Sequence, residues 1–224
     1  MKQSYNSYLY FASFILASFL ILVSMKSYDC KIAVVKYNGG GDWYANPTAL
    51  KNLISFCNQN LKTNIHPAPE EVDIGSANIF NFPYLYLTGH GNIVLTLSEK
   101  QNLKNYLQNG GFLHVDDNYG LDKYIRPILN QLLPETELIE LSDDHKIYSA
   151  KYDFTNGMPK IHEHDGEKTQ AFGLNYKGRL VLLYTYETDL GNGWEDAEVH
   201  NNSPEKRLEA LQMGANIIKY IFTE

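Results

Sequence analysis

Three short apolar runs, at residues 32–35, 82–87 and 112–115, each lead into a glycine- or aspartate-rich turn, and stretches of helical periodicity separate them. Runs this short and this apolar fit strands covered on both faces. Strands alternating with helices need crossover connections, so the pattern predicts βαβ units and a mainly parallel sheet, an α/β fold.

The helical stretches carry their own punctuation. Asn46 is placed to cap a helix with Pro47 at its first position, and Leu50, Leu53, Ile54, Cys57 and Leu61 repeat at three- and four-residue spacing. Ser98 followed by Gln101 reads as a capping box for the next helix. A third covers 121–133 with Tyr124, Ile125, Ile128, Leu129 and Leu132 on one face. Pro204 opens the last, whose stripe is Leu208, Leu211, Ala215, Ile218 and Phe222. Residues 170–174 and 179–185 flank Asn175-Tyr-Lys-Gly178 and predict a hairpin. An irregular connection with a short edge strand is expected over 63–73, a strand over 137–141 and a polar loop over 187–203.

The N-terminus reads as a leader. Lys2 precedes an uncharged stretch from 8 to 23, short for a spanning helix and suited to a signal peptide. Met25 makes a poor cleavage site, so an uncleaved anchor is the alternative, and either form places residues 28–224 outside the cytoplasm as one domain. In that case the protein is periplasmic or otherwise exported, touching a membrane only through residues 1–27. The formal charge is −7, and −9 without the first 27 residues, whose only charged side chains are Lys2 and Lys26. That balance, with no Lys/Arg cluster, argues against nucleic acid as a partner. Cys30 and Cys57 would both lie at the bottom of the sheet, as a disulfide or as two free thiols.

The chemistry-bearing residues gather after the apolar runs. In Gly110-Gly-Phe-Leu-His-Val-Asp-Asp-Asn-Tyr-Gly120, His114 and Asp116 share strand parity, and Asp117 starts the turn, where an aspartate either caps a helix or serves a site. Gly39-Gly-Gly-Asp-Trp43 and Thr88-Gly-His-Gly91 match no nucleotide-binding pattern, but their backbone N–H groups could face an anion. No serine- or cysteine-centred nucleophile elbow exists, so hydrolysis through a covalent intermediate is not expected. His162-Glu-His164 would share a face if extended, which makes His162 and His164, with His114 and Asp116, weak candidates for a divalent metal. Trp194, in Asp189-Leu-Gly-Asn-Gly-Trp194, either stacks on a ligand or covers the edge of the core.

Taken together, Gly39-Gly-Gly-Asp-Trp-Tyr44, Tyr86-Leu-Thr-Gly-His-Gly91, the 110–120 run, Gly157-Met-Pro-Lys-Ile-His162, Gly191-Asn-Gly-Trp194 and Met213-Gly-Ala-Asn216 resemble the exported bacterial proteins that carry the domain of unknown function DUF4159. The resemblance implies a flavodoxin-like three-layer domain of the class I glutamine-amidotransferase-like superfamily, with no established activity. It places Thr88-Gly-His-Gly91 at the oxyanion loop and Asp116-Asp117 near the nucleophile elbow, where this chain has no cysteine.

Three functions follow as expectations. A pocket could bind a small polar, envelope-derived ligand through Gly40, Gly41, Asp42, Gly89, His90, Gly91 and Asp117, with Trp43 or Trp194 covering it. A metal- or carboxylate-assisted hydrolase would use Asp116 or Asp117 as base, with His90, His114 and His162 as ligands or proton donors. An interaction module would dock an envelope protein on acidic and aromatic loops.

Overall fold

A computed structural model describes residues 27–223. The expected leader, residues 1–27, lies outside the described residues except for Ser27. The chain forms strands β1 (Ile32–Lys36), β2 (Glu70–Asp73), β3 (Tyr84–His90), β4 (Phe112–Tyr119), β5 (Ile139–Glu140), β6 (Gln170–Tyr176) and β7 (Arg179–Tyr186). They make one seven-stranded sheet in the order β2-β1-β3-β4-β7-β6-β5. The first five in that order are parallel, while β6 runs antiparallel to both β7 and β5. Helices α1 (Ala49–Asn60), α2 (Leu97–Gln108), α3 (Asp122–Leu132), α4 (Leu190–Trp194), α5 (Ala197–His200) and α6 (Pro204–Thr223) complete the fold.

Because strand side chains alternate, the sheet feeds two cores. Tyr84, Tyr86, Phe112 and Leu183 pack with α1, α4 and α6 on one face. Leu85, Leu87, Leu113, Val115 and Leu182 pack with α2 and α3 on the other. The result is the expected α/β, flavodoxin-like three-layer domain with a mainly parallel sheet.

Several local expectations are corrected. Both β3 and β4 run past their apolar cores, to His90 and Tyr119, because the polar side chains at their ends are paired. Thr96 and Glu99, rather than Ser98 and Gln101, form the capping box of α2, each side chain bonding the other's backbone. Asn46 does not cap α1. Glu195 does so from across the molecule, its Oε1 accepting from the backbone N–H of Thr48 (2.7 Å) and Ala49 (3.0 Å). On α6 the buried face is Ala210, Met213, Gly214, Ala215, Ile217 and Ile218, whereas Leu208 and Phe222 are exposed. The helix turns its small residues inward because Gly214 meets Leu53 and Trp194; a Cβ there would lie 2.6 and 2.9 Å from them.

The hairpin is as expected, with Lys177 and Gly178 both at positive φ, as a tight two-residue turn requires. The 187–203 connection is no open loop. It folds into α4 and α5, and all of α4 is buried. Cys30 and Cys57 are free thiols, and burial pushes the Cys57 thiol up to about 12.

Candidate functional site

The carboxyl ends of β1, β3, β4 and β7 lie at one edge of the sheet, where open α/β folds place their sites. The turn after β1 packs backbone to backbone on the end of β3. Gly41 donates to Asn92 O at 2.8 Å, and a Cβ on Gly89 (φ 140°) would strike the Tyr37 hydroxyl and the backbone of Asp42. This close approach seats Asp42 on His90. The carboxylate accepts from the His90 backbone N–H and, 3.0 Å away, from its Nδ1. An imidazole donating from Nδ1 presents Nε2 as the acceptor, and about half of the His90 side chain is exposed. Gly40 and Gly91 also have positive φ and lie in the same two turns. Trp43 is half-buried against the α2–α3 core, with Lys36 Nζ 5.9 Å from its ring.

His114 and Asp116 point to the opposite face and are fully buried. Their hydrogen bonds run in one direction. The Tyr84 hydroxyl donates to His114 Nδ1 (2.9 Å), His114 Nε2 donates to Thr185 Oγ1 (3.0 Å), and Thr185 donates to Asp116 Oδ1 (2.6 Å). Asp116 Oδ2 accepts from the Tyr86 hydroxyl (3.0 Å) and the Gly191 N–H (2.7 Å). Burial lowers His114 to about 3, which keeps it neutral, and raises Asp116 to about 6 against the hydrogen bonds that lower it. With both ring nitrogens of His114 engaged and both oxygens of Asp116 supplied with donors, this pair ties β3, β4, β7 and α4 together.

Asp117 faces the α3 side. Its oxygens accept from the N–H groups of Leu121 (2.9 Å) and Asp122 (3.2 Å), so it caps α3. Burial, with the nearby Asp122 and Asp116, holds it up at about 6. It also lines a cavity of about 340 Å³ with Tyr119, Asp122, Asp165, Tyr186 and Glu187, within the size range of small-molecule sites. Lys123 is the cation in the lining. Glu187, directly after β7, has a positive φ (59°), and its Oε2 accepts from Lys160 Nζ at 2.8 Å.

Behind Tyr119 lies a histidine cluster. His164 stacks on the Tyr119 ring at 4.5 Å and donates from Nε2 to Asp189 Oδ2 at 2.5 Å. His162 stands 3.4 Å from the same oxygen and its Nε2 bonds Asn202 Oδ1. So His162 and His164 do converge, though on a carboxylate carried by a loop and not on a strand face. Contact with Asp189 is the main reason the His162 pKa is raised. Asp189 is buried and left-handed (φ 55°, ψ 46°), and its Oδ1 has no hydrogen-bond partner. Among the described residues, no group of three His, Cys, Asp or Glu side chains is arranged to hold a metal ion.

Trp194 faces inward. It is wholly buried, and its Nε1 donates to Ala210 O at 2.8 Å. The structure therefore gathers Asp42, His90 and the glycine turns at one place, Asp117 at a second, and His114 with Asp116 inside the core. Sequence reasoning missed Tyr119, Asp165, Tyr186 and Glu187 as site residues, and named Asp189 only as the start of the Trp194 loop. The left-handed backbone at Glu187 and Asp189 leaves no mark in composition or spacing.

A family model described as "Domain of unknown function (DUF4159)" matches residues 31–222. The chain belongs to this family. The match spans the whole sheet, so the strand-end cavity and the Asp42–His90 pair are both parts of the DUF4159 domain. No curated protein matches the chain.

Proposed function

We propose that this DUF4159 domain is an exported, divergent amidotransferase-like module that binds a small polar ligand in the cavity beyond the carboxyl ends of β4 and β7. The observation that carries the reading is the cavity itself. Two buried acids, Asp117 and Glu187, and two tyrosines, Tyr119 and Tyr186, line it at the edge where this fold class binds ligands. Export rests on the uncharged stretch after Lys2. Binding is favoured over glutamine hydrolysis because the resemblance puts the nucleophile elbow near Asp116-Asp117, and this chain has no cysteine there.

Thermal unfolding of the full chain against a panel of small polar compounds tests this. A ligand at about 100 times its Kd stabilises by about 2.7 kcal/mol, and Tyr119→Ala should abolish that shift. Identical shifts in wild type and Tyr119→Ala would place binding elsewhere.

The Asp42–His90 pair favours a second reading, water activation, in which His90 Nε2 accepts the proton of an attacking water and Asp42 orients the ring. That geometry moves the candidate base from Asp116 and Asp117 to His90. Hydrolysis that survives His90→Gln unchanged would reject it.

A further inference from the structure

We propose that a closed polar well beneath α5 is a second ligand site, and that it takes a neutral hydroxylated molecule, a sugar, whose hydroxyls meet the side chains of Asn118, Asp189, Asn192 and His200. The site is separate from the cavity lined by Asp117 and Glu187 and stands whether or not that cavity binds a ligand. Among the described residues, four buried side-chain atoms have no hydrogen-bond partner: Asn118 Nδ2, Asp189 Oδ1, Asn192 Oδ1 and His200 Nε2. Asn118 and Asp189 are wholly buried and Asn192 is 6% exposed. Each such atom destabilises the empty protein, so a ligand that supplies its partner gains from the pairing.

The four belong to one place. His162 joins three of them: its Nδ1 lies 3.4 Å from Asp189 Oδ2 and 3.1 Å from Asn192 Nδ2, and its ring is 5.2 Å from that of His200. Asn118 joins through Asn46, whose Nδ2 donates to Asn118 Oδ1 (3.1 Å) and would lie 2.4 Å from a Cβ on Gly191, between Asp189 and Asn192 in the chain. Burial lowers the His200 pKa most, and His162, Glu195, Asp189 and His90 all act on it. The well therefore sits beside the carboxyl ends of β3 and β4. Strand order reverses next to it, between β1 and β3, where open α/β sheets bind ligands. Its cover is slight, since α5, which carries His200, has no buried residue.

Donors and acceptors choose the ligand. Asn202 Nδ2 donates to Asn192 O, so Asn202 Oδ1 receives the proton of His162 Nε2 (3.0 Å). His162 Nδ1 is then the acceptor for Asn192 Nδ2, which leaves Asn192 Oδ1 open. Asn46 likewise fixes Asn118 with Nδ2 as an open donor. The ligand must donate to Asp189 and Asn192 and accept from Asn118. An ammonium has no acceptor for Asn118, and a phosphate is repelled by the Asp189 carboxylate. A hydroxyl both donates and accepts. The Asp189 charge calls for no further cation, because His164 Nε2 already donates to its Oδ2 at 2.5 Å. Water has the same two capacities as a hydroxyl, so the experiment must tell them apart.

Isothermal titration of the full chain with glucose, N-acetylglucosamine, putrescine and inorganic phosphate does so. At least one of the two sugars should bind saturably, equally at low and high salt, and at least tenfold more weakly to Asp189→Asn. His200→Phe, which keeps a ring against His162 and removes an unpaired nitrogen, should be as stable as wild type and bind the sugar several-fold more weakly. Should Asp189→Asn fail to fold, His200→Phe decides alone. Sugar binding that is lost in Tyr119→Ala but unchanged in His200→Phe would assign the sugar to the other cavity and overturn the well. Putrescine or phosphate binding that His200→Phe weakens, with neither sugar bound, would overturn the sugar. Binding of no probe would overturn the site, its four atoms then holding ordered water only.

Discussion

Asp116 Oδ2 accepts a hydrogen bond from the backbone N–H of Gly191 at 2.7 Å, joining the central strand β4 to the first turn of α4. The residues are far apart in sequence, and neither is exposed. Asp116→Ala would leave Gly191 N–H, Tyr86 Oη and Thr185 Oγ1 buried without their acceptor. At about 1–3 kcal/mol for each unsatisfied group, a loss of at least about 3 kcal/mol is expected in urea unfolding. Asp116→Asn, which keeps one acceptor, should lose less.

His114 gives the acid limb of stability. Its pKa is about 3 when folded and near 6.5 when unfolded, so between those values the unfolded chain binds more protons. Its contribution is therefore fully present above about pH 6.5 and is lost as pH falls toward 3. Asp116 and Asp117 act oppositely. Raised to about 6 from an ordinary value near 4, they add stability as pH falls through 6. Urea titrations of wild type and His114→Phe should differ by a term that grows by about 1.4 kcal/mol per pH unit from pH 4 to 6. Parallel curves would show that His114 titrates as an ordinary histidine.

Glu195 caps a helix it does not belong to. Glu195→Ala removes the acceptor for Thr48 N, Ala49 N and Thr48 Oγ1, and should cost about 2 kcal/mol. Glu195→Gln should cost less than half as much. Hydrogen exchange should localise the loss to the first turn of α1.

Gly89→Ala would force a side chain into a left-handed position already filled by the Tyr37 hydroxyl and the backbone of Asp42. The β1 and β3 turns must then separate. The expected outcome is loss of the Asp42–His90 hydrogen bond, read from the imidazole ¹⁵N shifts of His90, together with at least about 2 kcal/mol of stability.

Asp117→Ala removes the acceptor for two N–H groups at the start of α3 and should cost about 1–2 kcal/mol. Asp117→Asn, which keeps a carbonyl acceptor, should cost under about 1 kcal/mol while weakening any ligand of the cavity. Unchanged binding in Asp117→Asn would leave that carboxylate a helix cap alone.

The layers of this domain were legible because they depend on local pattern. Apolar runs gave β1, β3 and β4, three- and four-residue spacing gave α1 and α3, and strand parity put His114 and Asp116 on one face. Failures came where distant residues decide. Thr96-Leu-Ser-Glu99 and Ser98-Glu-Lys-Gln101 are overlapping capping patterns, and only the first has a carboxylate to return the bond. The true cap of α1 is 147 residues from Thr48. Polar letters in 187–203 suggested a surface loop, but Asp189, Asn192 and Glu195 turn inward to partners supplied by other elements. Of the site, His90, Asp42 and Asp117 were visible through their glycine and strand context. The cavity walls from Tyr119, Asp165 and Glu187 were not, since three separate segments must fold before they meet.

Trp194 sits where α4, α1 and α6 converge, bonded to Ala210 O and pressed against Gly214. The domain therefore carries a built-in optical reporter of its own closure. Undocking the C-terminal helix would expose one indole to water and shift its emission to the red. Trp43, half-buried beside the Asp42–His90 turn, would report separately on the opposite face. Substituting either tryptophan by phenylalanine would give two single-tryptophan proteins, in which motions of the Asp42–His90 turn and of the C-terminal helix can be timed independently.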